Sequence, residues 1–198
     1  MRKTTIYRLR FLTIWSVLLG FGCPAAVAES PSPQKLAADF EMTRTLSVLS
    51  DKLSSSGRLV LGGPGLLRWE TMSPTRSLLI VNRAQAWIQY TDLGVTKQFD
   101  IGSDPVMKVL SEHLFALTKG QFEKLGAWYQ IKEKDGAKQL IPKQKQIGNV
   151  FSEIRVRLSP KGVVQRVDMV SKGGDTTVIE FKNVRLNPPL APDAFRID

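Results

Sequence analysis

The chain has 198 residues, 28 basic against 18 acidic, a formal charge of +10, one histidine and one cysteine. That inventory excludes a histidine-based metal cluster, a Cys/His nucleophile pair and a redox CxxC, and neither a GxSxG elbow nor a GxxxxGK[ST] loop is present, so it defines no enzyme and calls for no cofactor. With no dense Lys/Arg block and no recognisable nucleic-acid module, nucleic acid is not an expected partner.

Residues 1–28 read as a cleaved signal peptide. Arg2, Lys3, Arg8 and Arg10 precede an apolar run over 11–19, and Ala26-Val27-Ala28 places the cut before Glu29, which sends the chain to the periplasm. The run is short against the roughly 20 residues of a membrane span. A lipidated Cys23 would ordinarily follow Leu three positions earlier, but Gly20 stands there. Cys23 is therefore read as leaving with the signal, with lipidation as the competing reading. Four basic residues leave too, so 24 basic against 18 acidic side chains give residues 29–198 a charge of +6. This moderate positive charge, spread along the sequence, suits anionic lipid head groups or other acidic surfaces. Without cysteine the fold must stand on its apolar core, which 170 residues can build as one domain. Residues 29–34, with Ser30-Pro31-Ser32-Pro33, form a tether, and 35–198 the domain.

From position 35, Leu36, Ala37, Phe40 and Arg44, then Leu46 and Leu49, suggest an amphipathic helix that fades into something extended by Ser47-Val48. A polar stretch over 52–56 and a turn at Ser56-Gly57 follow. Residues 58–90 organise the rest: strands at 58–62, 66–72, 76–81 and 85–91, separated by Gly62-Gly63-Pro64-Gly65, Ser73-Pro74-Thr75 and Asn82-Arg83. Leu78-Leu79-Ile80-Val81 has no polar side, which predicts covering on both faces. A short strand over 96–101 precedes a second helix. Ser103 or Asp104 caps it, Pro105 opens it, and Val106, Met107, Leu110, Leu114, Phe115 and Leu117 recur along it, with His113 on its surface. A helical turn is expected at 122–125, then strands at 127–132 and 139–141 around Asp135-Gly136. Ile154, Val156 and Leu158 alternate with Glu153, Arg155 and Arg157, the period of a half-exposed strand. Further strands follow at 163–170 and 177–182. The fold class expected is mainly β with α: a curved antiparallel sheet of about ten or eleven strands, an incomplete barrel, with helices over its concave face.

Pro64-Gly65-Leu66-Leu67-Arg68-Trp69, then Pro74, then Trp87-Ile88-Gln89-Tyr90-Thr91-Asp92, resembles the LolA family of periplasmic lipoprotein carriers, which shares its fold with the outer-membrane receptor LolB. Leu158-Ser159-Pro160-Lys161-Gly162 and the strand from Asp175 to Val184 are similar to the family's last strands, and the resemblance spans about residues 35–197. Two positions depart: Gly63 stands where the family has arginine, and Gly174-Asp175-Thr176-Thr177 replaces Gly-Asn-x-Thr. The resemblance implies a monomeric periplasmic carrier that binds acyl chains of lipoproteins or related lipids in an apolar cavity. It would shuttle them from a transient inner-membrane donor to an outer-membrane acceptor.

Cavity candidates on the sheet are Leu67, Trp69, Leu79, Val81, Trp87, Ile88, Ile154, Val156, Ile179 and Phe181. On the lid they are Leu36, Phe40, Met107, Leu110 and Leu114. Ordinary core packing accounts for each equally well. Pro64, Gly65, Arg68, Pro74 and Tyr90 carry the family motif, and of the neighbours Arg68 and Trp69 only one can point inward. A LolB-like acceptor tethered through Cys23, and a periplasmic sensor module that reuses the fold, are the competing functions.

Overall fold

In the computed structural model, residues 35–48, 51–63, 65–83, 85–101, 112–113, 115–116 and 120–197 are described, and residues 31–198 form one compact unit. The proposed signal and tether, Cys23, Pro64, Met107, Leu110 and Leu114 lie outside the described residues.

Eleven strands form one antiparallel sheet: β1 (Leu36–Thr45), β2 (Lys52–Leu61), β3 (Leu66–Ser73), β4 (Ser77–Asn82), β5 (Gln85–Tyr90), β6 (Val95–Asp100), β7 (Tyr129–Lys134), β8 (Ala137–Pro142), β9 (Phe151–Leu158), β10 (Val164–Ser171) and β11 (Thr176–Leu186). Their spatial order is β6-β5-β4-β3-β2-β1-β11-β10-β9-β8-β7. Every neighbour in each half is its neighbour in sequence. The one long-range closure is β1 against β11, with Phe40 opposite Phe181 and Met42 opposite Ile179.

The helix expected from position 35 is not formed; Leu36–Thr45 is β1. Leu36, Ala38 and Phe40 are buried at intervals of two while Glu41 is exposed. Spacing of 36, 37, 40 and 44 fits a helix, but a strand with partners on both edges gains two hydrogen-bonded ladders, which outweighs a weak helical pattern. The polar stretch 52–56 and its supposed turn at Ser56-Gly57 are likewise strand, the first half of β2.

The half-barrel under helices is also corrected. The sheet is open, with β6 and β7 as unpaired edges, and it is not strongly curled. Among the described residues no helix reaches seven residues. Two 3-10 turns (Thr91–Leu93 and Phe122–Leu125) and one α-helical turn (Lys145–Gly148) have bounds of their own, and residues 112–113 and 115–116 are helical. Curling is one way for a wide sheet to bury its apolar face. Here connecting segments do it instead, in two patches. Ala116, Phe122, Leu125 and Ile147 pack with Leu140, Ile154, Val156 and Val167 of the C-terminal strands. Ile101 packs with Leu36, Leu59, Leu67 and Val81 of the N-terminal strands. Leu78-Leu79-Ile80-Val81 is covered on both sides: Val81 belongs to the second patch, and Ile80, on the other face, is fully buried.

Candidate functional site

Strand alternation sorts the candidates by face. Ala38, Leu59, Trp69, Leu79 and Ile88 lie opposite one another in successive strands, so they share a face. Met42, Ile179, Val167 and Val156 continue it across β1, β11, β10 and β9. Leu36, Phe40, Leu67, Val81, Ile154 and Phe181 fall on it by period two. Leu36 and Phe40, expected on a lid, are therefore part of the sheet. Trp87 is not on this face. It pairs with Ile80, which pairs with Arg68, and all three point the other way.

The Arg68-Trp69 alternative resolves accordingly. Trp69 faces inward, with its ring centroid 4.3 Å from that of Phe40 and 6.4 Å edge-on from that of Phe181. Arg68 faces outward and holds Glu70 at 3.3 Å. The outward face nearby is solvated and ion-paired, with Lys182 on Glu41 at 2.6 Å and Arg166 bridging Asp168 and Glu180 at 2.8 and 2.7 Å.

The two apolar patches meet at a shallow apolar crevice lined by Leu36, Ala38, Leu59, Val164, Phe181 and Val184, open to solvent and too tight to hold a water molecule. Phe181 touches both patches. The crevice is smaller than the roughly 300–1,000 Å³ of ligand pockets. Of its lining, Leu36 and Phe181 were legible as candidates. Ala38, Leu59, Val164 and Val184 were not, and the alternation of β1, once read as strand, was the signal that pointed to Ala38.

Gly65 has a left-handed φ of +74°, and its carbonyl accepts the Arg83 N–H at 2.7 Å, which ties the β2–β3 turn to the β4–β5 turn. Gly63, in place of the family arginine, has open space where a Cβ would project. Pro74 follows a cis peptide bond in the β3–β4 turn, and Tyr90 ends β5, partly exposed.

His113, expected on a helix surface, is buried. Its Nδ1 lies 3.1 Å from Tyr129 Oη, its ring stands edge-on to Trp128, and its buried Nε2 has no hydrogen-bond partner among the described residues. Burial lowers the imidazole pKa below 6.5 and pushes the Tyr129 hydroxyl up to about 12. Neither group meets a carboxylate or a serine among the described residues, and the sequence has no second histidine. Among the described residues no group of three or more His, Cys, Asp or Glu could hold a metal.

The described residues thus form an open antiparallel sheet whose one apolar face is covered in two patches. Residues 32–198 match the family described as "Outer membrane lipoprotein carrier protein LolA", and the chain belongs to that family as a divergent member. It is 29% identical to the outer-membrane lipoprotein carrier protein of Azotobacter vinelandii, over 91% of this chain and 89% of that one. Identity to the carrier of Chromobacterium violaceum is 30%, over 93% and 90%. A solved outer membrane lipoprotein-sorting protein domain from Vibrio parahaemolyticus is 16% identical, covers 82% of this chain and 89% of its own, and superposes with a TM-score of 0.43. Proteins of this family are periplasmic and non-catalytic, and they work with lipoproteins and membrane acceptor proteins.

Proposed function

We propose that the chain carries acyl chains of lipoproteins or related lipids from the inner to the outer membrane. They would be held on the apolar face around Trp69, Phe40 and Phe181, and the signal peptide would be removed near Ala28-Glu29. The observation that carries this reading is the crevice where the two apolar patches meet, an apolar seam that an acyl chain could widen by parting Phe181 from Leu36 and Ala38. Each buried methylene would contribute about 0.8 kcal/mol. Affinity of that kind grows with chain length and has no directional bond to break, so cargo can be surrendered to a deeper apolar site. Leu67, Leu79, Val81, Ile88, Ile154, Val156 and Ile179 share the seam's face of the sheet. Trp87 is left outside it.

Native mass spectrometry with lipid extraction, on protein recovered from its own periplasm, tests this. The expected species is residues 29–198 with stoichiometric acylated lipid or lipoprotein. Apo protein after gentle extraction would sink the proposal. Acylation at Cys23 in the same spectrum would place the chain at the receiving membrane instead.

A further inference from the structure

Antiparallel order brings the β1–β2, β3–β4, β5–β6 and β10–β11 turns and the start of β9 to one end of the sheet. Among the described residues, every large apolar side chain that stays exposed is at that end, save Leu186 at the other. Val48, 86% exposed, and Leu93, 71% exposed, ride on turns, and Leu53, Met72 and Val95 stand on the strand ends beside them.

These turns are held in place. Asp175 accepts the backbone N–H of Ser47 at 2.9 Å and its hydroxyl at 3.1 Å, which fastens the β1–β2 turn to the β10–β11 turn. Asp92 accepts the Arg76 N–H at 2.8 Å while the Arg76 carbonyl accepts the Thr91 N–H at 3.1 Å, which fastens the β3–β4 turn to the β5–β6 turn. Nothing in turn chemistry asks for leucine or valine at such positions.

Charge then distinguishes the occupants. Lys52, Arg76 and Lys97 lie among these apolar tips and make no ion pair among the described residues. Asp175 is paired with Arg44 at 3.4 Å, and Lys52, Arg76 and Lys97 outnumber the other carboxylates of these turns, Asp51 and Asp92, which keep their charge. A protein interface gathers its apolar residues in a centre with a polar rim. Apolar tips interleaved with cations are instead the pattern of a surface seated at a lipid interface.

We propose that this end of the sheet docks on anionic membranes, with Val48 and Leu93 among the head groups and Lys52, Arg76 and Lys97 against lipid phosphates. It is independent of what the crevice holds. The test is flotation of protein purified from the periplasm with vesicles of phosphatidylcholine alone or with added phosphatidylglycerol, at low and high salt. The protein should float with the anionic vesicles and be released by salt, since screening shortens the reach of the cations. Val48→Ser with Leu93→Ser should weaken binding about tenfold, and Lys52→Glu with Lys97→Glu should abolish the preference for phosphatidylglycerol. Leu186→Ser, at the opposite end, should bind like wild type. All five positions are exposed, and unchanged melting curves will show that the variants fold. No binding to anionic vesicles at low salt would overturn the proposal. So would an equal loss in Leu186→Ser, or binding that requires an embedded membrane protein.

Discussion

Gly57 shows how one residue sets the local geometry of the apolar face. It lies opposite Phe40 in the β1–β2 ladder, and a Cβ there would stand 1.9 Å from the Glu70 carbonyl oxygen and 2.9 Å from the Phe40 ring. Phe40 lies over the glycine and stacks on Trp69, so any side chain at 57 displaces the ring and the neighbouring strand together. Gly57→Ala should therefore destabilise by about 1–3 kcal/mol, the usual range for overpacking. Urea titration reads this directly, and an unchanged midpoint would refute the packing described. His113 makes a second prediction. Its imidazole is neutral in the folded chain because burial lowers its pKa below 6.5. The unfolded chain protonates it below about 6.5 and so binds more protons as pH falls. Stability should thus decline from about pH 6.5 downward, until the lowered folded value is passed. His113→Phe, which keeps an aromatic ring between Tyr129 and Trp128, should flatten that decline when urea midpoints are compared from pH 7 to pH 5. Equal slopes in both proteins would rule His113 out as the titrating group.

At the scale of elements, β1 lies at the middle of the sheet and β6 and β7 at its edges. Hydrogen–deuterium exchange should find the slowest amides in β1, β2 and β11 and the fastest strand amides in β6, whose side chains are almost all exposed. Equal protection of β1 and β6 would contradict the strand order. This central strand was the element least legible in the sequence, for a physical reason. Leu36, Ala37, Phe40 and Arg44 satisfy a helical period, while Leu36, Ala38, Phe40 and Met42 satisfy a strand period, and only the distant partners in β11 decide between them. Most strands whose partners are next in sequence were legible, the polar first half of β2 excepted. The Asp135-Gly136 turn has positive φ at both residues and sets β7 against β8, and Glu153, Arg155 and Arg157 mark the wet side of β9. The alternation rule also held the answer for Trp87 and Ile88. Being neighbours, they could not both face one cavity, as Arg68 and Trp69 could not. His113 was misplaced because a lone polar residue on an apolar segment gives no sign, within its own segment, that Tyr129 will come to meet it.

On the scale of the whole molecule, the apolar face of an open sheet has two tasks that conflict. It must be covered to hold the chain folded, and it must be accessible if it is to take a lipid. If the seam takes acyl chains as proposed, dividing the cover into two patches that join at Phe181 would reconcile these demands. Each patch would then keep its own buried residues while the seam between them gave way, and loading would not undo either core. Ala38 lies in that seam and has the smallest side chain in its lining. Ala38→Leu should fill the crevice, at a cost of about 1–3 kcal/mol from overpacking, and should lower the lipid that co-purifies with the chain. Trp87→Ala removes a far larger side chain, but from the opposite face, and should leave the lipid content as it was. Extracting lipid from the two variants and from wild type, each checked for folding by its urea midpoint, separates loss of cargo from loss of structure. If Trp87→Ala sheds lipid while Ala38→Leu retains it, the cargo sits on the face where Trp87 lies with Ile80 and Arg68, and the seam is ordinary core.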